Sequence, residues 1–209
     1  MYNIRPAAIQ DVDSIARIHV ACWGECYPYL PLGLHEMRGL GYRQQQWGAE
    51  LSTGGVGGTL VLLDGDRVVG FSHVQPNNDR DIPEADIELH ACYFLPEYRR
   101  SLAGPQMLQR MVGMVLSQGW LSCCLWAWSK NPVRRTYGAL GFKPVVRRDR
   151  TIGDFCAPEV GYLCQDLPVL NERLSKSLNR LSRRDVQTRN QQYSKDRFRP
   201  IALRSGKGQ

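Results

Sequence analysis

The residues with the most chemical potential lie between Glu88 and Leu116. There an apolar strand pattern runs into Pro96, then into Arg99-Arg100-Ser101-Leu102-Ala103-Gly104, then into a helical pattern. A strand that feeds a glycine-containing turn and a helix presents backbone N–H groups to an anion, and the helix dipole adds positive potential at the same place. Arg99 and Arg100 add guanidinium groups able to make charge-assisted hydrogen bonds. Pyrophosphate is the natural ligand of such a turn; an ordinary β–α turn with two solvated arginines is the alternative. The glycine-rich stretch from Ser52 to Gly58 is a different case. No Lys-Ser/Thr follows it and a strand pattern comes next, so it does not read as a phosphate loop. Asp79, Asp81, Glu84, Asp86 and Glu88 form an acidic stretch that favours a cationic partner, unless they are simply solvated loop carboxylates. The seven cysteines are odd in number, and the adjacent Cys123 and Cys124 would point to opposite faces of a strand. They suit reduced core residues better than a disulfide framework or a metal centre, and no metal is expected.

The elements that must position these groups can be read from periodicity. Ile4-Arg5-Pro6 suggests a short first strand. Val12, Ile15, Ala16, His19, Cys22 and Trp23 recur at helical spacing behind the acidic Asp11 and Asp13. Met37, Leu40, Gln44, Trp47 and Leu51 predict a second helix, weakened by Gly39 and Gly41. Thr59 to Leu63 and Val68 to Val74 flank Asp64-Gly65-Asp66, a hairpin signal. Asp86 to Leu95 reads as a strand ended by Pro96, and Pro105 to Gln118 as a helix with Pro in its first turn and Gly119 beyond its end. Leu121 to Trp128 is an apolar strand, Pro132 to Leu140 a short helix stopped by Gly141, and Val145 to Ile152 and Val160 to Leu167 are closing strands. This order predicts an α/β (α+β) domain, a mixed sheet with helices on its faces.

Over Ile4 to Leu167 the chain resembles the GNAT acetyltransferase superfamily. The resemblance is carried by Glu88-Leu89-His90-Ala91-Cys92-Tyr93-Phe94-Leu95-Pro96-Glu97-Tyr98-Arg99, by Asn131, Tyr137 and Gly141-Phe142 at the family's spacing, and by Ile4-Arg5-Pro6-Ala7 with Ile18-His19-Val20-Ala21-Cys22-Trp23 at the start. It implies a mostly antiparallel central sheet flanked by helices and transfer of an acetyl group from acetyl-CoA to an amine. It also implies site residues: the loop Arg99, Arg100, Ser101, Leu102, Ala103 and Gly104 at the pyrophosphate, and backbone amides of Tyr93 and Phe94 with the side chain of Asn131 along the pantetheine arm. Glu88 would accept the ammonium proton, with His90 in reserve unless it is simply a buried, hydrogen-bonded histidine. Tyr137 would lie against the sulfur and donate a proton to it, and Trp23 and Tyr27 would line the acceptor side or else belong to the core. Leu102 stands where the family usually has glycine. A GNAT-fold module that binds acyl-CoA or protein with little turnover is therefore the second reading.

The chain's 209 residues, 43% hydrophobic and 22% charged, suit one globular domain with an appendage. No apolar run is long enough to span a bilayer and the N-terminus lacks a signal-peptide core, which points to a cytoplasmic protein. The net charge of +7 is uneven: from residue 168 onward there are 11 Lys/Arg against 3 Asp/Glu, and the remainder carries 16 against 17. The expected organisation is an acetyltransferase-like domain over 1–167, an amphipathic basic helix over 168–184 and a basic, disordered tail over 185–209. Leu167, Leu170, Leu174, Leu178 and Leu181 form the apolar stripe of that helix. It would dock on its own domain, on a second subunit in a homodimer, or on a membrane surface, and the tail is a candidate contact for nucleic acid or another polyanion.

Overall fold

A computed structural model describes residues 2–54, 57–99 and 101–180. They form a seven-stranded sheet in the order β1-β2-β3-β4-β5-β7-β6, with helices on both faces. The strands are β1 (Asn3–Pro6), β2 (Gly58–Asp64), β3 (Arg67–Pro76), β4 (Ile87–Phe94), β5 (Cys123–Trp128), β6 (Lys143–Ile152) and β7 (Phe155–Cys164). Only β4 and β5 run parallel; every other neighbouring pair is antiparallel. The predicted mixed, mostly antiparallel sheet is therefore present.

The helices are α1 (Val12–Cys26), α2 (Leu32–Met37), α3 (Leu40–Thr53), α4 (Ala103–Ser117), α5 (Arg134–Leu140) and a final α6 over residues 167–180. The helix expected from Met37 to Leu51 is instead two, divided at Arg38-Gly39. The cause is local: a Cβ on Gly39 would lie 2.9 Å from the Glu36 carbonyl oxygen, so the tight turn there requires glycine. Met37, assigned by periodicity to the apolar face, is 53% exposed as a result. The β2–β3 turn at Gly65-Asp66 follows the hairpin signal, with Gly65 at φ +59°.

Leu60, Leu62, Val69, Ile87 and Leu125 pack on one face, against Met107, Met111, Val112 and Val115 of α4, with register shifts at Val69 and His90 resetting the alternation of β3 and β4. Val61, Phe71 and Ala91 face the other way, against Ile15, Ile18 and Cys22 of α1 and Trp47 of α3. Cys123 and Cys124 point to opposite faces in separate clusters, and all seven cysteines are free. The stripe of α6 docks on its own domain: Leu167, Leu170 and Leu174 are at most 3% exposed within the α4-side core. Gln109 of α4 donates to the Ser175 hydroxyl at 2.7 Å, fixing the register of the two helices. Leu181 and the tail over 185–209 lie outside the described residues, and so does the expected polyanion contact. No described helix is long and apolar enough to cross a membrane.

Two irregularities shape the centre of the sheet. β4 bulges at His90, since His73 pairs with Ala91 and the next residue, Val74, pairs with Leu89. A bulge bends its strand and increases its twist. On its other edge β4 meets β5 only at Ile87↔Cys123 and Glu88↔Cys124. Beyond those two pairs the strands separate, so the edge of β4 from Leu89 to Phe94 faces an opening rather than a neighbour.

Candidate active site

The opening between β4 and β5 is flanked by groups from four segments. Tyr93 comes from β4, Tyr137 from α5, Asn131 from the turn before α5, and Tyr27 from the end of α1. They stand close enough for the phenols of Tyr27, Tyr93 and Tyr137 to perturb one another. Burial pushes the Tyr137 hydroxyl well above the usual phenol range, and nearby Cys92, Cys26 and Tyr162 add to the shift against the opposing Asn131 amide. Tyr137 is therefore neutral and a hydrogen-bond donor at physiological pH. Its ring meets Tyr162 edge-on at 5.4 Å.

The turn that presents Tyr137 is built by two devices. Asn131 Oδ1 accepts the Val133 N–H at 2.9 Å while its Nδ2 donates to the Tyr27 hydroxyl at 2.8 Å, tying the α1 end to the α5 start. Gly141, at φ +99°, closes α5, and the Phe142 N–H returns to the Tyr137 carbonyl at 3.0 Å. The next side chain, Phe142, is 2% exposed and anchors the helix in the core. The Asn, Tyr and Gly-Phe spacing seen in sequence is thus a description of one structural unit.

Glu88 lies at the apex, where β4 and β5 still pair. Its Oε2 accepts from Gln75 Nε2 at 2.9 Å and its Oε1 meets His90 Nδ1 at 3.4 Å. Burial raises the Glu88 pKa, but the bond and charge of His90, the Gln75 bond and the Arg150 charge outweigh it, and the net shift is downward. The group is a carboxylate near neutral pH. His90 is not the buried histidine expected from the strand pattern. The bulge turns it outward, leaving its side chain 33% exposed beside Glu88.

At the other end of the opening, Pro96–Tyr98 forms a single 3-10 turn before α4. Ser101 Oγ donates to the Tyr98 carbonyl at 2.6 Å and accepts the Ala103 N–H at 3.1 Å, satisfying one of the first amides of α4. Leu102 is the N-cap residue with φ −70° and ψ −10°, a conformation any L-residue adopts, so the backbone there does not demand glycine. Gly104 has no heavy atom within 4 Å of where a Cβ would stand. Arg99 turns inward: Nη1 pairs with Glu25 at 2.6 Å, Nε donates to the Phe94 carbonyl at 2.9 Å, and Nη2 meets Cys22 Sγ at 3.4 Å. Arg100 lies outside the described residues.

Trp23 and Tyr27 are 8% and 6% exposed and cluster with Leu30, Leu34 and Trp128 beside the opening. The acidic stretch is not a free anionic surface. Asp79 and Asp81 pair with Arg148 at 2.8 and 2.7 Å, and Asp86 accepts the Leu121 and Ser122 N–H groups at 2.8 and 3.0 Å. These carboxylates hold the loop between β3 and β4 against β6 and the start of β5. No cluster of metal-ligating side chains occurs among the described residues.

Periodicity gave no sign of Arg43 on α3, which is buried beside Trp23 and Tyr93 and pairs with no carboxylate among the described residues.

A parallel pair that ends after two residues, followed by a turn into a long helix, is the central feature of this fold. The acetyltransferase (GNAT) family model matches residues 12–142, and the chain belongs to that family. It is 27% identical over 179 residues to an uncharacterized N-acetyltransferase, YuaI, of Bacillus subtilis strain 168, across 84% of this chain and 100% of the relative. Its fold is similar to that of the PaiA N-acetyltransferase from Thermoplasma acidophilum in complex with coenzyme A, with TM-score 0.60 and 20% identity, covering 76% of this chain and 98% of that one. It is also similar to YncA, a putative acetyltransferase from Salmonella typhimurium solved with acetyl-CoA, with TM-score 0.57 and 15% identity, covering 79% and 94%.

Proposed function

We propose that the protein transfers the acetyl group of acetyl-CoA to a primary amine by direct attack within a ternary complex. The observation that carries this reading is the separation of β4 from β5 after Glu88 and Cys124, with Tyr137 beside the gap. The β4 edge at Tyr93 and Phe94 offers main-chain hydrogen bonds to the pantetheine amides, as an added strand would use it, with the Phe94 carbonyl available once Arg99 Nε leaves it. Asn131 retains one N–H and one lone pair beyond its internal bonds, and these serve the same arm. The pyrophosphate lies at the start of α4, over Ser101, Leu102, Ala103 and Gly104, where the helix dipole favours negative charge. Arg99 joins there only by leaving Glu25 and the Phe94 carbonyl.

The acceptor arrives as an ammonium, with a reference pKa of about 10.4 for a lysine-like amine. Glu88 takes the proton, directly or through one water, and His90 at its rim passes it to solvent. The free amine attacks the thioester carbonyl, the C–S bond breaks, CoA leaves as a thiolate, and the second nitrogen proton passes to water as the amide forms. Tyr137, whose pKa is raised, stabilises that thiolate by donating a hydrogen bond as charge develops, a role that does not require complete proton transfer. Trp23 and Tyr27 wall the acceptor side.

The test is initial-rate kinetics with a thiol-reactive chromophore reporting CoA release, over a panel of primary amines. Intersecting double-reciprocal lines support a ternary complex, and parallel lines contradict it. Tight acetyl-CoA binding without CoA release from any amine would favour the acyl-CoA-binding module.

A further inference from the structure

Arg43 is the one buried arginine of the α1/α3 side, 6% exposed, and it pairs with no carboxylate among the described residues. Nη1 donates to Gln46 Oε1 at 2.7 Å, whereas Nε is sealed from solvent with no hydrogen-bond partner. The guanidinium lies 5.5 Å from the ring centres of both Trp23 and Tyr42. Burial, followed by the neighbouring Arg38 charge, pulls its pKa down to about 10, so it remains a cation at neutral pH. His19, the adjacent imidazole, is held neutral by burial with a pKa near 2 and offers no compensating charge. A buried charge lacking a paired anion is costly, and a charged side chain with an orphaned donor is the arrangement that a ligand anion relieves.

The position of Arg43 bears on the ligand it would serve. Its guanidinium lies 5.5 Å from the ring centre of Trp23, a wall of the proposed acceptor side, and Trp23 meets Tyr27, whose hydroxyl accepts from Asn131 at the opening. An anion at Arg43 would therefore sit a short chain away from the place where the amine must attack. The planar fork of arginine matches a carboxylate with two parallel hydrogen bonds. The surrounding Trp23 and Tyr42 rings accept the apolar body of the same molecule.

Resting on the acetyltransfer reading above, we propose that the acceptor is an amino acid or close analogue, and that Arg43 anchors its carboxylate while the amine faces the thioester. A polyamine or another acceptor carrying only positive charge is disfavoured by a buried cation at this point.

The test separates binding from turnover. N-acetyl derivatives of glycine, leucine, phenylalanine and glutamate, and the matching carboxamides of each, are titrated into the CoA-saturated protein by calorimetry. At least one N-acetyl amino acid should bind, and its carboxamide at least tenfold more weakly. Arg43→Gln should remove that discrimination and Arg43→Lys should keep part of it, with CoA affinity within about twofold of wild type in both. Folding of each variant is checked by circular dichroism and melting temperature, and Arg43→Lys alone decides if Arg43→Gln does not fold. Equal binding of acid and carboxamide, or no binding of any acid at millimolar concentration, would overturn the carboxylate anchor. The separate CoA titration then shows whether the acetyltransfer reading itself survives.

Discussion

Replacing Arg148 with methionine should destabilise the protein by about 3 kcal/mol. Arg148 bonds three carboxylates at once: Asp79 at 2.8 Å, Asp81 at 2.7 Å and Glu159 at 2.9 Å. It also stacks 3.6 Å over the Trp126 ring. The magnitude comes chiefly from Glu159, whose side chain is 0% exposed. Stranding a buried charge costs roughly 3–5 kcal/mol, and the lower end applies because Arg150 still reaches Glu159 at 3.4 Å. Asp81 is 48% exposed and contributes little, while loss of the cation–π contact adds about 0.5–1 kcal/mol. For a domain of this size the expected fall in melting temperature is roughly 6–12 °C. Urea denaturation followed by tryptophan fluorescence, with the melting curve alongside, measures both quantities. The double variant Arg148→Met with Glu159→Gln should recover most of the loss, because no charge is then left buried. A single-variant loss below about 1 kcal/mol, or a double variant as unstable as the sum of its parts, would refute the reasoning.

Three further outcomes follow from the site. Tyr137→Phe removes one hydroxyl and little volume, so kcat should fall about 100-fold while the acetyl-CoA dissociation constant stays within about threefold, measured by steady-state kinetics and calorimetry. Glu88→Gln should depress kcat/KM about 10- to 100-fold near pH 6.5 and progressively less as pH rises. The lowered Glu88 pKa keeps the wild-type carboxylate ionised over that range, so the pH dependence belongs to the acceptor ammonium; a loss uniform across pH would assign Glu88 a structural role. Leu102→Gly should tighten acetyl-CoA binding less than tenfold in a calorimetric titration, since Leu102 already holds an unstrained conformation and only its bulk is removed.

The elements were legible wherever one face of the chain is buried, because burial imposes a period. That is why α1, the hairpin around Gly65 and α4 fall within a few residues of their expected limits. The Asn131, Tyr137 and Gly141-Phe142 unit was legible as well through its local bonds, Asn131 to Val133 and Phe142 to Tyr137, whereas the Asn131–Tyr27 bond to α1 was not. What stayed hidden depends on contacts between distant segments. The bulge at His90 is a register property of β3 and β4 together, and only it explains why His90 turns outward. Arg99 reads as a solvated phosphate ligand until α1 brings Glu25 to within 2.6 Å. The acidic stretch reads as an anionic surface until β6 supplies Arg148. Arg43 carries no sequence signal, and it became notable only when burial left its Nε without a hydrogen-bond partner.

The central claim is that acetyl-CoA occupies the gap where β4 leaves β5 and extends to the start of α4. Amide hydrogen exchange read by mass spectrometry, with and without saturating acetyl-CoA, tests it most directly. Peptides covering 89–95 and 99–106 should gain protection, through the β4 edge and the first amides of α4, while β1, β2 and α3 should be unchanged. Protection confined to other segments, or none at saturating acetyl-CoA, would contradict the account.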